Sequence, residues 1–138
     1  MTLLTPDLRA RLRAHAEASA RTPGHDPAPV VKFFDPAGAA TWLASELSAD
    51  GDTLFGLADL GFGCPELGSF SLDEIARLRL PFGLSVERDL YFASAVPLSV
   101  WADTARRAGS ILWAETLLAR LSPAANPDEL PPPEPGGG

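Results

Sequence analysis

Residues 41–60 read TWLASEL, then SADGD, then TLFGLADL, two runs of strand-forming residues joined through Asp50-Gly51. An Asp-Gly pair accepts the left-handed backbone that a tight reversal between right-twisted strands requires, so Thr41–Leu47 and Thr53–Leu60 are expected as antiparallel neighbours. That pairing commits the chain to a sheet, and every other element has to bury its apolar face against it. After Gly61-Phe62-Gly63-Cys64-Pro65, the segment Glu66–Phe70 returns as a further strand, because strand, short loop and strand is the usual connection of a meander. Val30–Phe34 (VVKFF), rich in β-branched and aromatic residues, predicts one more strand ahead of the hairpin.

Helices flank these strands. Thr5 is placed to cap, Pro6 to occupy the first helical position and Asp7 to meet the positive end of the helix dipole. Leu4, Leu8, Leu12 and His15 then recur at spacings of four and three, the stripe of an amphipathic helix ending near Ser19. Arg21–Pro29 breaks the period with three prolines and one glycine and reads as a loop. Ser71-Leu72-Asp73-Glu74 is a capping-box pattern ahead of a short helix to about Arg79. Leu80–Phe92 mixes turn and apolar residues and reads as loop with a short strand around Val86–Asp89. Ser99 is placed to cap Val100–Ala108, closed by Gly109, and Ile111–Leu121 carries Ile111, Ala114, Leu117, Leu118 and Leu121 on one stripe. The expected fold is α+β, an antiparallel sheet of about four strands with N-terminal and C-terminal helices packed on it. Trp42, Trp101, Trp113, Phe33, Phe34 and Phe55 are the aromatic core candidates, with Trp113 off the main stripe of its helix.

From Ser122 the chain reads SPAANPDELPPPEPGGG, where proline removes backbone donors and glycine raises the cost of order, so 122–138 is expected as a disordered tail behind a single domain at 1–121. The apolar runs are too short to span a bilayer, and the start MTLLTPDLRARLRAH has arginines where a secretory leader would be apolar, so a cytoplasmic protein without membrane contact is expected. One cysteine, Cys64, excludes an intramolecular disulfide and a Cys-based structural zinc site.

The run FGLADLGFGCPELGSFSLDEIARL (Phe55–Leu78), with VERDLYF (Val86–Phe92) after it and LLTPDLRARL at the start, resembles the bacterial domain-of-unknown-function family 2958, over roughly residues 1–110. The resemblance implies a small cytoplasmic protein, often encoded on plasmids or other mobile elements near replication, partition or antirestriction genes. It implies no catalytic residues. Ten arginines to one lysine, with abundant Ala, Gly and Pro, also fit a genome of high G+C content.

The formal charge of −7 is unevenly placed. Residues 22–76 hold nine acids against the single base Lys32, while the flanking folded segments are each mildly basic. A concentrated negative field repels phosphates and favours a basic protein surface, so the expected partner is a protein, possibly one that handles DNA, and direct nucleic-acid binding is not expected. Asp50, Asp52, Asp59, Glu66 and Trp113 are the candidate binding residues. The plainer reading is that acidic loops keep a small domain soluble.

Among catalytic candidates, Asp59 and Glu66 flank the glycine-rich loop, and Glu87 and Asp89 join them if the VERD segment pairs nearby. Clustered carboxylates can take Mg²⁺ or Mn²⁺, or divide acid and base roles by pushing their pKa values apart. The alternative is that Asp59 or Glu66 accepts loop amides or pairs with Arg88. By alternation Asp59 shares a strand face with Phe55 and Leu57, which buries it in part and obliges it to find partners. The loop Gly61–Gly68 lacks the following helix and the Lys-Ser or Lys-Thr of a phosphate cradle, so its glycines read as turn residues. His15 and His25 have no nearby second ligand or nucleophile, and Cys64 reads as a buried, inert thiol. No cofactor or metal ligand set is expected. A non-enzymatic, protein-binding accessory factor of a mobile element is the reading this supports, with an inhibitor of a DNA-handling protein as its sharper form. A small carboxylate- or metal-dependent enzyme acting on a nucleotide or nucleic acid is the alternative.

Overall fold

A computed structural model describes residues 2–121. The elements run α1 (Pro6–Arg21), β1 (Val31–Phe34), β2 (Thr41–Leu47), β3 (Thr53–Asp59), β4 (Glu66–Ser71), α2 (Leu72–Arg77), a single 3₁₀ turn at Pro81–Gly83, β5 (Glu87–Arg88), α3 (Leu98–Ala108) and α4 (Ile111–Leu121). The strands form one fully antiparallel sheet in the order β4-β3-β2-β1-β5. The fold is therefore α+β as expected, with five strands where about four were counted. The fifth is the short strand expected around Val86–Asp89, here confined to Glu87–Arg88, which pairs with β1 opposite Phe33 and Phe34. The stretch 122–138, expected as a tail, lies outside the described residues.

Two apolar layers cover the two faces. On one face, Val31, Phe33, Trp42, Ala44, Leu47 and Leu54 pack against Leu4, just ahead of the first helix, Leu12 within it, and Leu72 and Ile75 of α2. On the other, Leu43 and Leu57 meet Leu98, Trp101, Ala102 and Ala105 of α3 and Ile111, Ala114 and Leu118 of α4. Strand β2 is buried on both sides at every position but Glu46, so its apolar residues Trp42, Leu43, Ala44 and Leu47 do not alternate with exposed polar ones. A bulge between Ala44 and Glu46 lets Ala44 and Leu47, an odd number of residues apart, both face α1. At the same place the ladder admits no side chain on β3: a Cβ added to Gly56 would sit 1.8 Å from the Leu43 carbonyl oxygen.

Basic side chains of α1 fasten it to the hairpin. Arg9 Nη1 donates to Gly51 O at 2.9 Å, Arg13 Nη1 to Leu47 O at 2.7 Å, and His15 Nδ1 to Ser45 O at 2.9 Å. His15 thus works as a tether on the bulge. Thr5 Oγ1 accepts from Leu8 N, as its capping role requires, and the helix runs two residues past Ser19 to Arg21. Ser71 Oγ accepts from Glu74 N at 3.1 Å, but Asp52 supplies the second carboxylate of that corner, accepting from Ser71 Oγ and Asp73 N. Helix α3 begins at Leu98 and not at Val100, because Asp26 in the proline-rich loop accepts from the Ser99 amide and hydroxyl and Pro27 O accepts from Leu98 N. Ser99 is therefore a donor inside the first turn and does not cap. Trp42, Trp101 and Phe33 are buried as expected, whereas Phe55 is 38% exposed.

In the hairpin turn, the Asp50 carboxylate accepts from Thr53 Oγ1 at 2.6 Å and from the amides of Thr53 and Asp52 at 2.8 Å each. The Thr53 hydroxyl, then the Thr53 and Asp52 amides, hold its pKa down from 3.8 to about 2. A carboxyl more acidic when folded than unfolded stabilises the fold above its unfolded pKa, and that contribution fades as pH falls through the folded value. The urea midpoints of wild type and Asp50→Ala should differ at neutral pH and converge as pH drops from 3.8 to about 2. Gly56→Ala should cost about 3 kcal/mol in the same urea experiment, because the strands must part to admit the methyl group.

Candidate functional site

Asp59, the last residue of β3, is wholly buried on the α3–α4 face, beside Thr41 of β2. Its Oδ1 accepts from Gly61 N and its Oδ2 from Ile111 N, each at 2.9 Å. Ile111 opens α4, so the carboxylate sits at the positive end of that helix dipole and closes the turn after β3 with its other oxygen. The expectation that a buried Asp59 needs partners, and takes loop amides, is met here. Ser110 completes the cap by accepting from Trp113 N at 3.0 Å.

Anchored in this way, α4 lies over β1 and places two side chains there. Glu115 Oε1 accepts from Lys32 Nζ at 2.8 Å, and Asp89 Oδ2 stands 3.8 Å from the same ammonium. Lys32 points to the α3–α4 face because Val31 and Phe33 claim the other one, and its side chain is only 9% exposed. The second side chain, Leu112, overhangs an open cleft of about 450 Å³ whose floor is Lys32, Phe34 and Thr41 and whose far wall is the chain from Glu87 to Tyr91. Asp35 and Gly38 close one end. Leu90 and Tyr91 stand out into solvent at its rim, Tyr91 almost completely. Asp89 fixes this wall by accepting from Tyr91 N with Oδ1, while its own amide donates to Lys32 O. Two carboxylates, Glu115 and Asp89, therefore flank one buried ammonium, and Asp35 and Glu87 line the cleft beyond it. Arg88, the other base on the wall, gives a guanidinium hydrogen bond to Leu3 O. The result is a surface of net negative charge between apolar and aromatic walls, able to hold a cation carried on an apolar stem.

The four carboxylates named from the sequence do not meet. Asp59 is committed to two backbone amides, and Glu66, opposite Ala58 on β4, is exposed one strand further out. Glu87 stands in the same cross-sheet row as Asp59, but β1 and β2 lie between them, so the two backbones are roughly 14 Å apart at ordinary strand spacing. Asp89 joins Lys32 and not Asp59. Among the described residues no group of three His, Cys, Asp or Glu side chains is arranged to hold a metal ion. Asp50 and Asp52 lie at the hairpin end, roughly 20 Å along the strands from the cleft. Trp113 is exposed, one residue beyond Leu112 on α4. Cys64 is exposed, contrary to expectation, because Gly61 and Gly63 turn the loop outward from the sheet end. Lys32, Glu115, Leu90, Tyr91 and Leu112 were not singled out by pattern. One signal was available: a lone lysine inside VVKFF has to point to one sheet face and needs an acid there.

The architecture defines the class: an antiparallel α+β domain with helices on both sheet faces and an acidic cleft at one edge. A family model described as a protein of unknown function (DUF2958) matches residues 3–112, and the chain belongs to that family. No curated protein and no solved structure matches it. No helix among the described residues is long and apolar enough to cross a membrane.

Glu115→Ala leaves a buried ammonium with only the more distant Asp89, and should lower the unfolding free energy by about 1–3 kcal/mol in urea titrations. Glu115→Gln, which keeps an acceptor oxygen in place, should lose less.

Proposed function

We propose that this protein is a non-enzymatic, protein-binding accessory factor of a plasmid or other mobile element, acting in the cytoplasm on a basic, DNA-handling partner. The observation that carries the reading is the chemistry of the cleft, where exposed Leu90 and Tyr91, with Phe34 and Leu112, offer apolar contact beside the carboxylates of Glu87 and Asp89. An arginine or lysine of the partner lays its aliphatic stem on these walls and its charge against Glu87, the most exposed acid of the wall. Hot spots of protein interfaces are enriched in aromatic residues and arginine, and this cleft supplies the aromatic half. The acids are divided between the two ends of the sheet, with Asp50 and Asp52 engaged in local hydrogen bonds, so the reading is recognition in a cleft and not imitation of duplex phosphates.

The test is capture from a nuclease-treated lysate of the native host by wild type, Tyr91→Ala and Glu87→Arg, each checked for an unchanged melting temperature. A basic protein retained by wild type at low salt, released at high salt and weakened at least about tenfold by either substitution supports the reading. Identical recovery by all three proteins overturns it.

A further inference from the structure

Helix α4 buries Ile111, Ala114 and Leu118 and turns Glu115 to Lys32, but a second stripe is left outside. Trp113, Leu117 and Leu121 recur at spacings of four, so they lie in a row along the helix, and they are 64%, 39% and 78% exposed. Three large apolar side chains in one exposed row differ from the scattered singles of an ordinary surface. Exposed arginines stand at both ends of the row: Arg120 in the last turn of α4, and Arg106 and Arg107 across the Gly109-Ser110 turn from its start. The acids of the two helices are Asp103, in an exposed ion pair with Arg107, and Glu115, already engaged by Lys32.

The chain that continues from Leu121 has the complementary composition. Residues 122–138 carry Asp128, Glu129 and Glu134, no base, six prolines and a single large apolar residue, Leu130. Asn126, Leu130 and Glu134 each precede a proline, which confines them to extended backbone, and polyproline II needs no internal hydrogen bonds. We propose that Pro127–Pro133 folds back along α4 as a polyproline II segment and covers the Trp113–Leu117–Leu121 row of the same chain. The lengths agree: the helix rises roughly 12 Å from Trp113 to Leu121, and Pro127 to Pro131 spans roughly 12 Å in polyproline II, with Ser122–Asn126 left to reverse direction. Three residues per turn put Pro127, Leu130 and Pro133 on one side of the segment, and Asp128, Glu129 and Glu134 on the other two. Pro127 then meets Leu121, Leu130 lies between Leu117 and Trp113, and the following prolines pack on the indole, as proline-rich ligands do in aromatic-lined grooves. Asp128 and Glu129 fall at the Arg120 end, and Glu134 continues toward the arginines of α3. Charge and tether select this occupant. A second copy would bring the same row with the same arginines, whereas the continuing chain brings acids and is held over the row at high effective concentration by its attachment at Leu121. Trp113, expected from the sequence as a binding residue, thus receives a segment of its own chain, and the cleft at β5 stays open to a partner.

The indole N–H signals of the ¹⁵N-labelled full chain test this, with Trp113 identified by its loss in Trp113→Phe and a nitroxide attached through Pro132→Cys in a Cys64→Ser background. The expected result is loss of most of the Trp113 signal beside the oxidised nitroxide, its recovery when Leu130→Asp is added, and unchanged positions of the Trp42 and Trp101 signals throughout. A Trp113 signal of full intensity beside the oxidised nitroxide overturns the proposal. So does a loss that Leu130→Asp leaves unchanged, since a segment merely tethered nearby gives the same loss. Labelled chains without nitroxide, mixed with unlabelled chains that carry it, separate the two sources of the segment: equal loss in the mixture assigns the contact to another copy and refutes folding back.

Discussion

Asp59 is the interaction on which the functional half of the structure depends. A carboxylate removed from water is tolerated only when its oxygens are satisfied, and here one closes the loop after β3 and the other receives the first amide of α4. That single side chain sets where α4 starts and therefore what it covers. One residue on, Leu112 overhangs the cleft; one turn on, Glu115 reaches Lys32. The residue that the sequence marked as a candidate ligand is thus a positioning residue for a cleft whose floor begins on the neighbouring strand, at Thr41.

Charge is used in two distinct ways. The arginines of α1 give the N-terminal segment its positive balance, yet Arg9 and Arg13 donate to carbonyl oxygens of the β2–β3 hairpin and so hold a helix in place. At the hairpin end, Asp50 and Asp52 accept from neighbouring amides and hydroxyls and shape a turn. At the other end, Glu87 keeps its carboxylate in solvent beside exposed apolar groups. The second arrangement leaves more hydrogen-bonding capacity unspent, because groups already bonded within the fold have less to offer a partner.

Local patterns were legible where local physics decides the outcome. Asp50-Gly51 announced the hairpin, Thr5-Pro6 the start of α1, Ser71 the start of α2 and Gly109, in the left-handed conformation at the C-cap, the end of α3. The partial burial of Asp59 followed from strand alternation. What the pattern did not disclose is where VERD pairs: a strand of two residues carries almost no periodicity, and its neighbour, β1, lies more than 50 positions earlier in the chain. The site followed the same logic. Lys32, Asp89 and Glu115 come from three distant segments, and no spacing rule links them. The start of α3 was misplaced for a related reason, since its acceptor is Asp26 and not Ser99.

Those distant acceptors tie both closing helices to parts of the chain remote in sequence. Asp26 is 73 residues ahead of the amide it receives in α3, and Asp59 is 52 residues ahead of the one it receives in α4. The closing helices therefore complete the ends of their hydrogen-bond ladders with acceptors from outside themselves. As eleven-residue segments they are too short to hold a helix in isolation. The α1–hairpin layer is tied by contacts within the first half of the chain, whereas the cleft owes its overhang, Leu112, to a helix that depends on such remote acceptors, so loosening Asp59 would open the cleft before it loosened the α1 layer.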